Sequence, residues 1–310
     1  MKTNTQKPKT PVMAAIELLR PLHWSKNVFV FAALIWSHKL STSDAVGALV
    51  LSIAGFMCFC FASSATYILN DILDRRADRL HPVKSTRPIA SGAISVNQAF
   101  ALFLICCILA IGGSFFLGNK FGIVIVCYMI LTSLYSLVLK RVMILDCIII
   151  SMGFVLRAIG GVVLLEVEFS HWLMICTFTL CLFLAFGKRR AEISRLAEGS
   201  VAFRETLRDY SPELLSHMLN VTSSLAIVSF MLYANAESTI KRFGNNYLLY
   251  TTPAVLYCIF RFTALVQQGK VTGPVDVIMK DRPFQIGLFV WLAASVYIIY
   301  GMNYAMGAGV

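Results

Sequence analysis

Tyr67-Ile-Leu-Asn-Asp-Ile-Leu-Asp-Arg-Arg-Ala-Asp-Arg79 closes a long apolar run, and the reading of the chain turns on it. Asp71, Asp74 and Asp78 lie three and four residues apart, so on a helix they share one face. Asn70, Asp74 and Asp78 also line up at successive helical turns, with Arg75, Arg76 and Arg79 on the flanks. Three carboxylates on one stripe repel one another unless a cation lies between them. Hard oxygen ligands at this spacing suit Mg²⁺, which takes one or two carboxylates and completes its shell with water and substrate phosphates. A solvated loop that only ends a membrane span has no need of acids so spaced.

The surrounding sequence is apolar. The chain has 310 residues, of which 14% are charged, and its mean hydropathy is +0.74. A soluble domain carries about a quarter charged residues. The expected fold class is therefore all-α, a polytopic membrane bundle in one domain. Runs of about 20 apolar residues predict nine spans, at 27–40, 44–70, 96–117, 120–138, 143–164, 170–187, 212–236, 246–267 and 284–306. Residues 1–12 read as a disordered basic tail before a transmembrane catalytic domain over 13–310. Residues 13–23 read as an interfacial helix stopped near Pro21.

The net charge of +11 raises the question of nucleic acid, and the distribution of the charge excludes it. Twenty-one of the 27 lysines and arginines fall in alternate loops on one side, four on the other and two, Arg157 and Arg261, inside spans. That bias is the positive-inside pattern. It puts the N-terminus in the cytoplasm of a multi-pass inner (plasma) membrane protein, with the acids on the same side. The first 27 residues lack the apolar core of a cleavable signal. The nine cysteines sit mostly within apolar runs, at no zinc-ligand spacing, and read as small apolar filler. The sequence is compatible with a homo-oligomer.

Candidate chemistry gathers on the cytoplasmic side. Lys84 and Arg87 follow the carboxylate stripe in a segment turned back by Pro88 and Gly92, and Ser95 with Gln98 reads as a capping box. A metal beside two cations is what a diphosphate needs; positive-inside anchoring is the plainer role for the same pair. Lys140 lies in the next cytoplasmic loop. Asp146, Gly153, Arg157 and Gly160 share a helix face, and Arg157 is deep enough in its span to need a cavity or a partner; a buried Asp–Arg network between helices is the plainer role. Lys188 and Arg189 lie at the membrane edge of the next large loop, followed by Glu192 and, further on, by Arg204, Arg208 and Tyr210. Arg261 either lines a cavity or snorkels. Asp281 and Pro283 fit the start of the last helix.

These residues resemble the UbiA superfamily of intramembrane prenyltransferases. Asn70, Asp71, Asp74 and Asp78 match its first motif, Asn-Asp-x-x-Asp-x-x-x-Asp, and the nine-helix topology matches over nearly the whole chain. The resemblance implies that this motif binds Mg²⁺ and a substrate diphosphate in a cavity facing the cytoplasm, with Asp71, Asp74 and Asp78 catalytic. The family's second acidic motif is replaced here by Lys188-Arg-Arg-Ala-Glu192. With Arg20-Pro-Leu-His-Trp-Ser-Lys-Asn27, His81-Pro-Val-Lys-Ser-Thr-Arg-Pro88 and Lys280-Asp-Arg-Pro283, this is similar to a phosphoribosyl-transferring branch. That branch implies transfer of 5-phosphoribosyl from 5-phosphoribosyl 1-diphosphate to a polyprenyl (decaprenyl-type) phosphate. Substrate-binding roles are then expected for Lys26, Asn70, Lys84, Arg87, Lys140, Arg157, Lys188, Arg189 and Arg261. Two rivals stand beside it: transfer of a prenyl chain to an aromatic acceptor, and a transporter or flippase without chemistry.

Overall fold

The structure is a computed structural model that describes residues 10–37, 39–41, 44–81, 84–168, 170–197, 207 and 209–301. Expectations about the first nine residues, Arg204, Arg208 and residues 302–306 of the last span lie outside the described residues. The helices are α1 Pro11–Leu19, α2 Ala32–Trp36, α3 Ala45–Leu73, α4 Arg75–Leu80, α5 Val96–Leu117, α6 Asn119–Leu137 and α7 Leu145–Leu164. They continue as α8 His171–Ala197, α9 Pro212–Ala234, α10 Glu237–Phe243, α11 Thr252–Gln267, α12 Pro274–Lys280 and α13 Arg282–Val296.

Eight helical stretches, containing α3, α5, α6, α7, α8, α9, α11 and α13, are long and apolar enough to cross a membrane. They coincide with the second to ninth expected spans. The first expected span is built differently. A 3-10 run over Pro21–Phe31 leads into the short α2. At about 2.0 Å of rise per residue for the 3-10 part and about 1.5 Å for α2, Pro21–Trp36 reaches roughly 30 Å, the thickness of the hydrocarbon layer. Its first end lies beside the aspartate end of α3, and its last carbonyl, of Trp36, accepts from Arg242 beyond the opposite end of the bundle. The stretch is held by very close packing. A Cβ on Gly161 of α7 would meet the Val30 carbonyl oxygen at 2.1 Å, so only glycine lets the two backbones touch.

Local signals set the ends of the elements. Helix α1 starts at Pro11, inside the expected tail, because the Thr10 hydroxyl accepts from the Met13 amide at 3.4 Å and proline suits a first helical turn. It stops at Arg20, whose φ of 54° and ψ of 59° are left-handed. The Ser95–Gln98 capping box is formed in both directions. Gly118, at φ 155°, turns α5 into α6. Asp281 caps α13 by accepting from the Phe284 amide at 2.8 Å.

The core runs along the bundle as adjoining apolar clusters. One joins Val30 to Phe59, Phe121, Ile125 and Tyr128. Another joins Ala14 and Leu18 of α1 to Ala65 and Ile68 of α3 and to Ile89 and Ile94. The second cluster folds residues 84–94 back over α3. It therefore delivers Arg87 to the aspartates.

Candidate active site

Helix α3 breaks at Asp74, and α4 resumes at Arg75, so the expected single carboxylate stripe divides in two. Asp71 and Asp78 are buried and share one partner: Arg87 Nη1 donates to Asp71 Oδ1 at 3.0 Å and to Asp78 Oδ2 at 2.7 Å. Arg20 Nη2 adds bonds of 2.7 and 2.9 Å to the two Asp71 oxygens. Asn70 and Asp74 face elsewhere. Lys140 Nζ, from the turn between α6 and α7, reaches Asn70 Oδ1 at 3.2 Å and Asp74 Oδ2 at 3.0 Å. Asp78 thus aligns with Asp71, a helical repeat away, rather than with Asp74.

These pairs are open to water. Arg20, Arg87 and Lys140 are 21%, 27% and 23% exposed. Partly hydrated ion pairs at this depth are exchangeable: an incoming anion can take the cations, and an incoming cation the carboxylates. Lys84 lies in the same loop, its backbone amide on His81 Nδ1 at 3.3 Å.

A site for Mg²⁺ needs hard oxygen donors close together. Among the described residues no three acidic, histidine or cysteine side chains converge on one point. The Asp71–Asp78 pair does fit, because Arg87 Nη1 already stands as a cation between its two oxygens. Two carboxylates are what Mg²⁺ takes when water and phosphate fill its remaining positions. Asn70 and Asp74, also expected as ligands, are engaged by Lys140 as Asp71 and Asp78 are by Arg20 and Arg87.

A second network lies at the same end and is closed. Arg189, expected to hold a phosphate directly, is 2% exposed, and Asp146 is 0% exposed. Arg189 Nε donates to Asp146 Oδ2 at 2.8 Å and Nη1 to Glu192 Oε2 at 2.8 Å. The Tyr210 hydroxyl donates to Asp146 Oδ1 at 2.9 Å and accepts from the Ile144 amide at 2.6 Å. Burial, first, and the neighbouring Cys147 push the Tyr210 phenol well above its ordinary value, so it stays protonated and keeps donating. Its acceptor role holds Ile144 at φ 69°, ψ −48°, with the Leu145 amide on the Met143 carbonyl at 2.7 Å. That is a strained γ-turn for a β-branched residue. It lies four residues after Lys140.

Asp146 therefore pairs with Arg189 on α8 and not with Arg157 on its own helix. Arg157 is buried and bonded to neutral groups: Asn27 Oδ1 at 2.7 Å, the Gly153 carbonyl at 2.8 Å and Tyr128 Oη at 2.7 Å. The rings of Tyr128 and Phe154, 4.6 and 5.2 Å from its guanidinium carbon, add cation–π stabilisation. This arginine ties the 3-10 run to α6 and α7. Arg261, expected to line the main cavity, is bound in a fork by Asp281 at 3.1 and 2.8 Å, beside a small cleft with Lys270 and Lys280. The Arg261 guanidinium beside Asp281 holds that carboxyl below its ordinary value. Helical spacing assigned no role to Arg20, Tyr67 or Tyr210; the arginine at a helix stop before proline was the available signal for Arg20.

The sequence profile described as the UbiA prenyltransferase family matches residues 27–280. The chain is 32% identical to decaprenyl-phosphate phosphoribosyltransferase of Corynebacterium glutamicum, over 96% of this chain and 90% of that one. It is 30% identical to the protein of the same name from Mycolicibacterium smegmatis, over 94% of each. Its fold is similar to that of a UbiA homolog from Archaeoglobus fulgidus bound to GPP and Mg²⁺, with a TM-score of 0.66 at 18% identity, over 92% of this chain and 99% of that one.

Proposed function

The chain belongs to the UbiA prenyltransferase family, and from that premise we propose that it is a phosphoribosyltransferase. It moves the 5-phosphoribosyl group of 5-phosphoribosyl 1-diphosphate onto a polyprenyl phosphate of the decaprenyl type, and diphosphate leaves. The observation that carries this reading is likeness over nearly the full length to proteins of that activity, at 30 and 32% identity. The chemistry of the site agrees with it. Three phosphate-bearing groups have to be held, and the cations are there to hold them.

Asp71 and Asp78 would hold Mg²⁺, with Asp74 and Asn70 beside them. Bound there, the metal supplies charge neutralisation of the donor's diphosphate. Arg87 and Arg20, released from the carboxylates, turn to phosphate oxygens, and Lys140 and Lys84 neutralise the remainder. A phosphate oxygen of the acceptor attacks C1 of the ribose from the face opposite the diphosphate. The new C1–O bond forms as the old one breaks, and its electron pair departs with the diphosphate. C1 inverts. The nucleophile is already an anion, so no strong general base is required, and no unpaired base is needed near the aspartates. Arg189, locked between Asp146 and Glu192, acts by holding α7 against α8.

The bias of lysine and arginine supports an orientation with the N-terminus and the site on the cytoplasmic side of the inner membrane. The test is direct. Membranes containing the protein, given Mg²⁺, phosphoribosyl diphosphate labelled in the ribose and polyprenyl phosphate, yield a labelled lipid and free diphosphate. Product formed only from a prenyl diphosphate and an aromatic acceptor overturns the proposal.

A further inference from the structure

A 3-10 helix repeats every three residues, so side chains three apart eclipse one another. The run Pro21–Phe31 thus presents three distinct stripes. Trp24, Asn27 and Val30 face the bundle: Trp24 Nε1 donates to Ser64 Oγ at 3.1 Å, Asn27 receives Arg157, and Val30 is fully buried. Leu22, Ser25 and Val28 are exposed. The third stripe continues from Arg20 through His23 and Lys26 to Phe29.

That third stripe changes character along its length. At its upper end the Arg20 guanidinium lies 5.1 Å and the His23 ring 5.4 Å from the ring of Tyr67, one helical turn from Asp71. Lys26 follows one 3-10 turn further along the same stripe and is half-buried. At the deep end, Phe29 meets Phe154 edge-on at 5.0 Å, and both rings are partly exposed. Cations above and aromatic rings below, over roughly 18 Å of 3-10 rise, match a ligand with a phosphate at one end and hydrocarbon at the other. Phosphoribosyl diphosphate has no apolar part and finds no use for the lower half.

We propose that His23 and Lys26 form the subsite for the acceptor lipid's phosphate, and that the Phe29–Phe154 pair starts the path of its polyprenyl chain. The assignment rests on the functional reading above and deepens it. Arg20 stands at the join: next to His23 on the stripe and bonded to Asp71, it brings the acceptor's phosphate alongside the donor's diphosphate. The basic groups of the opposite flank, Lys84 and Arg87, are left for the donor.

Binding to the full-length protein in lipid nanodiscs tests this without turnover. The probes are a radiolabelled polyprenyl phosphate, the matching polyprenol, inorganic phosphate and phosphoribosyl diphosphate. Lys26→Gln and His23→Gln are each expected to weaken polyprenyl phosphate binding about tenfold, the scale of one charge-assisted hydrogen bond. Phosphoribosyl diphosphate binding stays unchanged, which also reports that the variants fold, and Lys26→Arg restores the lipid affinity. In turnover, KM rises for the lipid alone. Inorganic phosphate competing with the lipid supports a phosphate site. Polyprenol binding as tightly as its phosphate, or equal losses for donor and lipid, overturns the assignment. If lipid binding depends on the stripe while no phosphoribosyl transfer occurs, the subsite stands and the activity falls.

Discussion

Two acid–base clusters lie at the same end of this bundle and are built to opposite specifications. Around Asp71, Asp74 and Asp78 each carboxylate has a cation, yet those cations keep 21 to 27% of their surface in water. Around Asp146, the arginine and the carboxylate are both sealed, and Tyr210 and Glu192 satisfy what they leave over. The first cluster is a set of contacts that substrate can exchange. The second is a fixed joint between α7 and α8. Charged residues close in space thus divide into those that bind and those that brace, and hydration separates them.

Removing one partner of the sealed pair tests the division most severely. Arg189→Met leaves Asp146 buried and unpaired, at a cost of about 3–5 kcal/mol. The expected outcome is loss of folded protein, followed as thermal unfolding in detergent; a stable Arg189→Met protein with weakened substrate binding alone would move Arg189 to the binding class. Next comes the open cluster. Asp78→Asn is expected to lower kcat by about 10²-fold, the scale of losing one electrostatic contact to the reacting groups. Its melting temperature should stay near that of the parent. A large fall in stability instead would make the aspartates part of the scaffold. The smallest effect belongs to Tyr210→Phe, which removes one donor to Asp146 and the acceptor for the Ile144 amide. It should cost about 1–2 kcal/mol. Relaxation of the γ-turn should then loosen Lys140 and raise KM for phosphoribosyl diphosphate more than it lowers kcat.

Much of the fold was legible in one sequence because membrane spans announce themselves by length and hydropathy. The caps at Ser95 and Asp281 were legible too, since they depend on neighbours three residues away. Partner choice was not. Asp146 and Arg157 share a helix face, which suggested an Asp–Arg network between helices without saying which partner each takes. Packing of α8 brings Arg189 closer and sends Arg157 to Asn27, 130 residues away in sequence. The division of the aspartates was hidden for a related reason: the break at Asp74 shifts the register, which helical spacing alone cannot anticipate. The first span was placed at 27–40, but its 3-10 form and its start at Pro21 escaped a search for 20-residue apolar segments, because a longer rise per residue lets fewer residues cover the same thickness.

That run has a consequence for how the N-terminal part of the chain tolerates change in length. Its three stripes form a triplet code in which each position is fixed modulo three. A single inserted residue before His23 turns every later stripe through about 120°. Lys26 would then rotate out of the site, and Asn27 would leave Arg157 without its acceptor. Single-residue insertions and deletions here act as frameshifts in space, while an insertion of three restores the phase and only lengthens the thread.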